Sequence, residues 1–568
     1  MLILKQSLNC KKVIRGGPGG FPGPLLTKTE REAAILLKIE NLKLSPEDSL
    51  SALPARAARA LKLRESDLTS LRILRRSVDA RDGVSLVYTV AAEVPREDAV
   101  LKRLRNAKVS RYAPPPAYVP PAPPPAPACP PVVVGAGPAG LFCALVLARA
   151  GLRPILLERG RPVEQRQADV ARFWSTGVLD PASNVQFGEG GAGAFSDGKL
   201  NTGTRDPRHR FILEQFVSWG APEDILIDGK PHVGTDKLHI ALVNLRRELL
   251  ALGADIRFES RLADLVLEQG RLTAAAVEGP DGRYTLPCRQ LVLALGHSAR
   301  DTFEMLYSRG VPMEAKPFAV GVRIEHRQAD IDLAQYKQYA GSPSLPVSSY
   351  KLSCHLPNGR GVYSFCVCPG GQVVAAASEA GRLVTNGMSE FARDGENING
   401  GLLVNVTPQD YGSSHPLAGI AFQRQLEEAA FAMGGFHFQA PCQRVEDFLA
   451  HRCSVRWGRV KPSYRPGVTM TDLHLCLPPF VAESLETALP LLGKKLQGFD
   501  HPDALLTAVE SRSSSPVRLP RDGAGQSAIR GLYPCGEGAG YAGGILSAAA
   551  DGMRIAEQIC GSLSKEGT

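Results

Sequence analysis

VVVGAGPAGLFCALVLARAGLRPILLERG, residues 132–160, decides the fold. A short apolar run, Val132-Val133-Val134, feeds into Gly135-x-Gly137-x-x-Gly140, and a helix of small residues follows. A second apolar run, Ile155-Leu156-Leu157, ends at Glu158, eighteen residues beyond Gly140. Each part has a physical task in gripping a dinucleotide. Gly135 permits the tight strand-to-helix turn, Gly137 lets backbone approach a pyrophosphate, and Gly140 lets helix and strand pack closely. Ala136, Pro138 and Ala139 complete the turn, and the free amides at the helix start face the phosphates. Glu158, with Arg159 beside it, is placed to accept hydrogen bonds from the adenosine ribose. A glycine triplet alone is weak evidence, but this one has the full strand–loop–helix–strand–acid order.

Working outward, 568 residues predict two or more domains. A hydrophobic share of 44% suffices for a sizeable core, and 22% charged residues is ordinary for a soluble protein. No apolar run reaches the ~20 residues of a membrane span. The start, MLILKQSLNCKKVIRGG, lacks a convincing cleavage site, so the expected location is cytoplasmic. Twelve scattered cysteines form no disulfide framework and read as free thiols. Net charge is +9, yet residues 1–112 hold 22 Lys+Arg against 12 Asp+Glu, leaving 44 against 45 for the rest. That basic front end is either a solvated surface or a dock for an acidic partner or RNA.

Residues 1–32, rich in glycine and proline, read as a flexible leader. From 33 to 112 a strand at Ile35–Leu44, a helix at Ser49–Leu63, strands at Leu71–Val78 and Val84–Val94, and a helix at Ala99–Ala107 suggest a small ferredoxin-like α+β domain. Between Pro114 and Pro131, eleven of eighteen residues are proline. The linker at 113–131 is therefore an extended strap, at ~3.1 Å per residue roughly 55 Å at full reach. Residues 132–313 form the first part of a Rossmann-like nucleotide-binding domain. It includes a helix at Lys237–Leu252, a strand at Asp255–Glu259, a three-stranded meander over 262–286, and a return strand at Leu291–Gly296. Residues 314–500 read as an inserted α+β cap, and 501–562 close the nucleotide domain with a helix from about Gly544 to Ile559.

The fingerprint at 135–158, LALGHSA at 293–299 and GLYPCGEGAGYAGGI at 531–545 resemble the three flavin-binding segments of FAD flavoproteins of the glutathione-reductase-like fold. More closely, the chain resembles the family of uncharacterised FAD-dependent dehydrogenases of bacteria and plastids. GEGGAGAFSDGKL (188–200), KPFAVGVRIEH (316–326), VYSFCVCPGG (362–371), TNGMSEFARDGENING (385–400) and ESRSSSPVRL (510–519) carry that likeness. The segments around His451–Arg459 and Leu473–Cys476 fit it less well. The resemblance implies FAD, held by the first glycine turn, by Gly296, and by a second grip at Gly536, Glu537, Gly543, Gly544 and Ile545. Glu537 would accept from a ribitol hydroxyl where related flavoproteins usually carry Asp. The last helix would aim its N-terminus at the N1/C2 edge of the flavin.

Chemistry beyond the cofactor rests on fewer residues. Gly191 and Gly193, in a dense glycine loop, imply close approach of backbone to pyrophosphate or flavin. Lys199 follows, either a cation beside the ring or a solvated lysine. Cys366 and Cys368 alternate on an expected strand and share a face, either near substrate or as buried inert thiols. Glu510, Arg512 and Arg518 read equally as a carboxylate grip or as a structural ion-pair network. Lys199, Cys366, Arg512 and Arg518 are thus the catalytic candidates. The histidines show no metal-ligand spacing, so no metal is expected. GxGxxG recurs at Gly188–Gly193 and Gly538–Gly543, both inside segments already quoted, so no dedicated NAD(P)H domain is expected and NAD(P)H enters only as a transient co-substrate, if at all. The expected function is an FAD-dependent oxidoreductase moving hydride between flavin N5 and a small organic substrate under the cap. The alternatives are a nucleic-acid-associated flavoenzyme docked through its basic domain, and a redox-sensing flavoprotein without turnover.

Overall fold

The computed structural model describes residues 36–104 and 106–566, so the expected leader lies outside the described residues. The chain begins with strand Leu36–Leu44, helix Leu53–Leu61, strands Ser70–Asp79 and Ser85–Glu93, helix Glu97–Leu104 and strand Val109–Tyr112. In space the strands run 70–79, 85–93, 36–44, 109–112, every neighbour antiparallel. Alternation explains the first strand: Leu37, Ile39, Leu42 and Leu44 are buried, with a bulge between Ile39 and Leu42 that keeps the face after the odd step. Leu53, Ala57 and Leu61, four residues apart, turn one helix stripe onto that face.

This front unit is docked rather than tethered at a distance. Arg76 exchanges backbone hydrogen bonds with Ile227 and Gly229, each 2.8 Å, and its guanidinium pairs with Asp224 and Asp228. The proline-rich stretch carries no helix or strand, as its composition demands. It is also pinned midway: the Tyr118 hydroxyl donates to Glu557 at 3.0 Å and its ring meets Phe211 at 4.6 Å.

The next unit is a mixed α/β body around a five-stranded parallel sheet, ordered Leu532–Pro534, Leu291–Leu293, Val132–Val134, Ile155–Leu157, Asp255–Arg257. Helix Pro138–Arg149 is buried from Ala139 to Ala148, because the sheet covers one side and helix Ile545–Glu566 the other. The helices meet closely because Gly552 has no side chain; a Cβ there would lie 2.0 Å from the Ala139 carbonyl oxygen. An antiparallel meander of Arg261–Glu268, Arg271–Gly279 and Gly282–Pro287 lies where alternation placed it.

A second sheet unit is inserted between Leu291–Leu293 and Leu532–Pro534. Its strands run Ser353–His355, Gly361–Ala375, Asn397–Val406, Phe318–Arg327, Leu505–Glu510, Ala440–Arg444, Val468–Met470, with Thr385–Met388 also paired to Gly361–Ala375. Helices Ala418–Met433 and Pro479–Gly493 contribute Phe422, Leu426, Leu485 and Leu489 to its core. This corrects the boundary expected at residue 500. Leu505–Glu510, buried at all six positions, is an interior strand of this sheet, so the chain returns to the first unit only beyond Ser513. Entry and exit are stitched by the short ladder Glu314–Ala315 with Val517–Arg518. Among the described residues, no helix is long and apolar enough to cross a membrane.

Candidate functional site

Strand order settles whether the two glycine turns can share a ligand. Val134 and Pro534 both lie level with Leu293 in a parallel ladder, so the turns after them leave the same sheet edge two strands apart. That is about 10 Å at the usual strand spacing. The turns also touch, since a Cβ on Gly536 would come within 2.7 Å of Ala139 Cβ. Between them opens a cavity of ≈ 360 Å³, within the range of small-ligand sites.

The nucleotide side of this cavity is mostly backbone. Gly135 turns at φ +103°, and a Cβ there would sit 2.3 Å from the Ala294 carbonyl oxygen. Gly137, Pro138 and Ala139 present the helix start, with Gly191 and Gly193 facing them. Glu158 borders the cavity while accepting from the amides of Ala136 (2.7 Å), Gly160 (2.9 Å) and Gly188 (2.9 Å). One carboxylate therefore fixes three loops around the expected ribose position. Arg159 stacks over the Phe187 ring at 4.3 Å and donates to Asp301 and Thr302. Gly296, Glu537, Gly543, Gly544 and Ile545 line the far end. Burial pushes Glu537 up to about 7, against the Gly544 amide and Lys316, which favour its charge.

Three predicted cofactor residues support rather than line the cavity. The Ala136 amide is held by Glu158. Gly140 packs helix on strand, and a Cβ there would lie 1.8 Å from the Gly135 carbonyl oxygen. The Gly536 amide donates to Asp551 at 2.8 Å.

The opposite wall comes from the second sheet unit and is built from side chains: Phe365, Cys366, Thr385, Asn386, Glu510 and Arg512. Lys199 reaches this wall, its Nζ buried and 2.9 Å from Asp197. Asp197, invisible as a site residue in the sequence, also accepts from Ser389 (2.6 Å) and Arg393 (2.8 Å) and so ties the two units together. Burial opposes its charge, but Lys199 and Arg393 hold its acidity at about 2. Lys199 is thus an anchored cation, not a solvated one; burial weakens its hold on the proton, and Asp197 more than restores it. His297 also borders the cavity, its acidity brought down to about 3 by burial and then by Arg512 and Arg300. It is a neutral ring at neutral pH.

Two catalytic candidates change role. Arg518 does not line the cavity: it is exposed, stacked over Tyr541 at 4.7 Å, on the ladder where the chain crosses between units. Arg512 does line it, but its donors are engaged by Glu427 (2.8 and 2.9 Å), Ser378 (2.6 Å) and Glu379 (3.3 Å). Arg300 grips the same Glu427 at 2.8 Å. This is the structural ion-pair network of the two readings, and it braces the cavity from behind. Cys366 and Cys368 depart from simple alternation. A bulge sets Phe365 opposite Gly401 and Cys368 opposite Asn399, leaving Cys366 at the cavity and Cys368 fully buried.

Where no metal was expected, one group of described residues has ligand geometry: His451, His474 and Glu486. Its atoms satisfy one another, since His474 sits between Asp472 and Glu486 and His451 reaches Glu486 at 3.1 Å. Spacings of 23 and 12 residues match no ligand motif, so it carries no local signal.

Comparison with known proteins agrees with this geometry. Residues 131–197 match the FAD binding domain family, and 317–513 match the family described as FAD-dependent protein, C-terminal domain-like. Residues 37–94 match a domain of unknown function. A protein of Clostridium beijerinckii described as uncharacterized is 45% identical over 527 residues, spanning 92% of this chain and 98% of its own. Among solved structures, a flavin-dependent brominase is 13% identical, covers 77% of this chain and 79% of its own, and has a TM-score of 0.35. A variant of the quinol fumarate reductase of E. coli is 14% identical, covers 78% and 71%, and has a TM-score of 0.36.

Proposed function

The chain belongs to the family of FAD-dependent dehydrogenases with a glutathione-reductase-like flavoprotein fold, and on that premise we propose that it moves hydride between flavin N5 and a small organic substrate enclosed by its eight-stranded unit. FAD supplies the two-electron chemistry when bound; the chain supplies grip, orientation and charge. The observation that carries this reading is one cavity with two unlike walls, glycine turns and a helix N-terminus on one side, and charged and thiol side chains from a separate unit on the other.

The residues present fit FAD. Gly135, Gly137 and Gly191 leave a cradle that any Cβ would narrow, suited to a pyrophosphate against the start of helix Pro138–Arg149. Glu158 offers carboxylate oxygens at the ribose end, and Glu537 offers them where a ribitol would pass. Helix Ile545–Glu566 points its N-terminus into the same cavity, favouring negative charge there. We read the eight-stranded unit as the substrate cap, bounded by residues 314 and 513, and the front unit as a ferredoxin-like module, in keeping with their strand orders. Lys199, fixed by Asp197 at the seam, would orient an electron-rich group of the substrate.

Purified protein should be yellow and release about one FAD per chain on denaturation. After anaerobic photoreduction, a small organic acceptor should reoxidise it, more slowly in Lys199→Ala. A colourless chain that cannot be reconstituted with FAD ends the reading.

A further inference from the structure

The bulge in strand Gly361–Ala375 places one cysteine where no alternating strand would. Three steps from Phe365 to Cys368 are matched by two from Gly401 to Asn399 on the partner strand. Cys366 absorbs the difference at φ +42°, a left-handed conformation that a side chain of this kind rarely adopts. The partner strand makes room with Gly400, where a Cβ would stand 2.9 Å from Val367 Cγ2. The outcome is a partly accessible cysteine on the cavity wall, with the Cys368 thiol buried behind it and in hydrogen-bonding reach of the Cys366 carbonyl oxygen (3.3 Å).

Charge around this pair of cysteines is unbalanced. Arg323 is fully buried; its Nη2 donates to the Cys366 carbonyl at 3.0 Å and lies 3.7 Å from Cys368 Sγ. Only Gly387 leaves space for that guanidinium, since a Cβ there would sit 1.9 Å from Nη2. The carboxylate facing Arg323 is Glu510, whose Oε1 is a long 3.5 Å away and whose Oε2 has no partner. Burial pushes Glu510 up to about 7, so near neutral pH it cancels only part of the Arg323 charge. On the other flank Lys199 and Arg393 outnumber Asp197, with Lys230 and Lys351 further along the same side. Tyr350, also beside Arg323, stays neutral because burial holds its proton. Three close cations thus face one full and one partial anion, and a single thiolate would reduce the remaining excess of positive charge. In the same sense, the hydrogen bond from Cys368, then Lys199 and Arg323, favour the thiolate of Cys366 over the opposing burial and Glu510.

We propose that Cys366 is a nucleophilic thiolate on the substrate wall, built to add to a small conjugated carbonyl compound. This rests on the flavin-site reading above and names a substrate class for it. In the step, the Cys366 sulfur bonds the β-carbon, the C=C π pair moves onto the carbonyl oxygen as an enolate beside Lys199, and solvent returns a proton to the α-carbon. No oxidant or reductant is consumed. Phe365 and Asn386, which line the same cavity, suit a flat, small molecule with one polar end.

The test treats full-length, FAD-loaded protein with N-ethylmaleimide at pH 8 and pH 6 and maps the labelled peptides by mass spectrometry, while visible absorbance reports flavin content separately. Exposed Cys453 is the internal reference. A thiol of ordinary acidity reacts roughly 80-fold more slowly at pH 6 than at pH 8, because only the thiolate attacks. Cys366 is expected to slow less than about 10-fold, to lose its label in Cys366→Ser, and to react about 10-fold more slowly at pH 6 in Lys199→Met while Cys453 is unchanged. Cys366 left unlabelled, or falling in parallel with Cys453, overturns the proposal. Capture of glutathione disulfide in place of the maleimide overturns the substrate class. Absence of flavin absorbance would instead count against the cofactor reading, so the two failures are distinguishable.

Discussion

On its nucleotide side the cavity presents backbone, shaped by Gly135, Gly137 and Gly191 and pinned by three amides on Glu158. On its substrate side it presents side chains, held by buried charges drawn from strands far apart in sequence: Arg323, Lys199, Asp197, Glu510 and, behind them, the Arg300–Glu427–Arg512 cluster. The backbone wall depends on the absence of atoms, and a methyl group in the wrong place spoils it. The side-chain wall depends on electrostatic balance, so removing one charge should unsettle its neighbours. The two walls therefore differ in what breaks them.

The largest effect should come from Glu427→Gln. Glu427 is fully buried between Arg300 and Arg512, and although burial opposes its charge, the two guanidiniums hold its carboxyl well below the ordinary range. The amide keeps the shape but leaves two buried cations short of a partner, a loss of about 3–5 kcal/mol by chemical denaturation. The sign with pH follows. A depressed carboxyl contributes its full stability above its ordinary value of 4.5 and loses it only as pH falls through the lower native value. The variant and the parent should converge in strong acid. A variant as stable as its parent at pH 7 would mean that the substrate wall is not charge-braced.

Next comes Gly140→Ala on the backbone wall. Its added Cβ would meet the Gly135 carbonyl oxygen at 1.8 Å, and neither helix nor strand can yield cheaply. A loss near the ~3 kcal/mol upper range of overpacking is expected. FAD retention after gel filtration should fall with it. Full FAD content at normal stability would show that the turn is slacker than its geometry.

The same contrast explains what could be read in advance. The glycine spacing, the run Val132–Val134, and Glu158 eighteen residues beyond Gly140 are local, so the parallel sheet and one grip on the cofactor were legible. The meander and the front βαββα order were legible because alternation and turn residues are local too, whereas the short closing strand Val109–Tyr112 was not read. Leu505–Glu510 was misplaced because a fully buried strand carries no alternation to tell which sheet owns it. Asp197, His297 and Asn386 lie inside segments quoted for the family resemblance but were not picked out, because the contacts that give them a role come from chain far away. Arg518 is a candidate because it lies just before the closing flavin segment, yet the short strand it sits on turns its side chain to solvent.

Glu510→Gln sharpens the substrate side with a smaller, pH-shaped effect. Native Glu510 holds its proton up to about 7, against 4.5 ordinarily, because burial disfavours its charge. The folded state then binds more protons than the unfolded state between those values, so this residue makes stability fall as pH rises. Glu189 and Glu537, also raised to about 7 by burial, share that slope. Removing Glu510 should flatten the fall between pH 4.5 and 7 by about 2–3 kcal/mol, whatever the absolute change from leaving Arg323 less well paired. Denaturation curves at pH 5 and pH 8 give the difference directly. An unchanged slope would place an ionised carboxylate beside Arg323 at neutral pH and weaken the charge argument for Cys366.

The smallest effect tests a contact outside both walls. Arg76 joins the basic front unit to the body through Asp224 and Asp228, but its side chain keeps 39% of its area exposed. Water and salt screen such pairs, which contribute about 0.2–1 kcal/mol. The two backbone hydrogen bonds, from the Arg76 amide to the Ile227 carbonyl and from the Gly229 amide to the Arg76 carbonyl, survive any side-chain change. Arg76→Ala should therefore lower stability by less than ~1 kcal/mol, and less again in high salt. FAD content should not move, because nothing from the front unit lines the cavity. A large drop in flavin retention would show that the front unit shapes the cavity through the body, and the contrast between the two walls would then need a third participant.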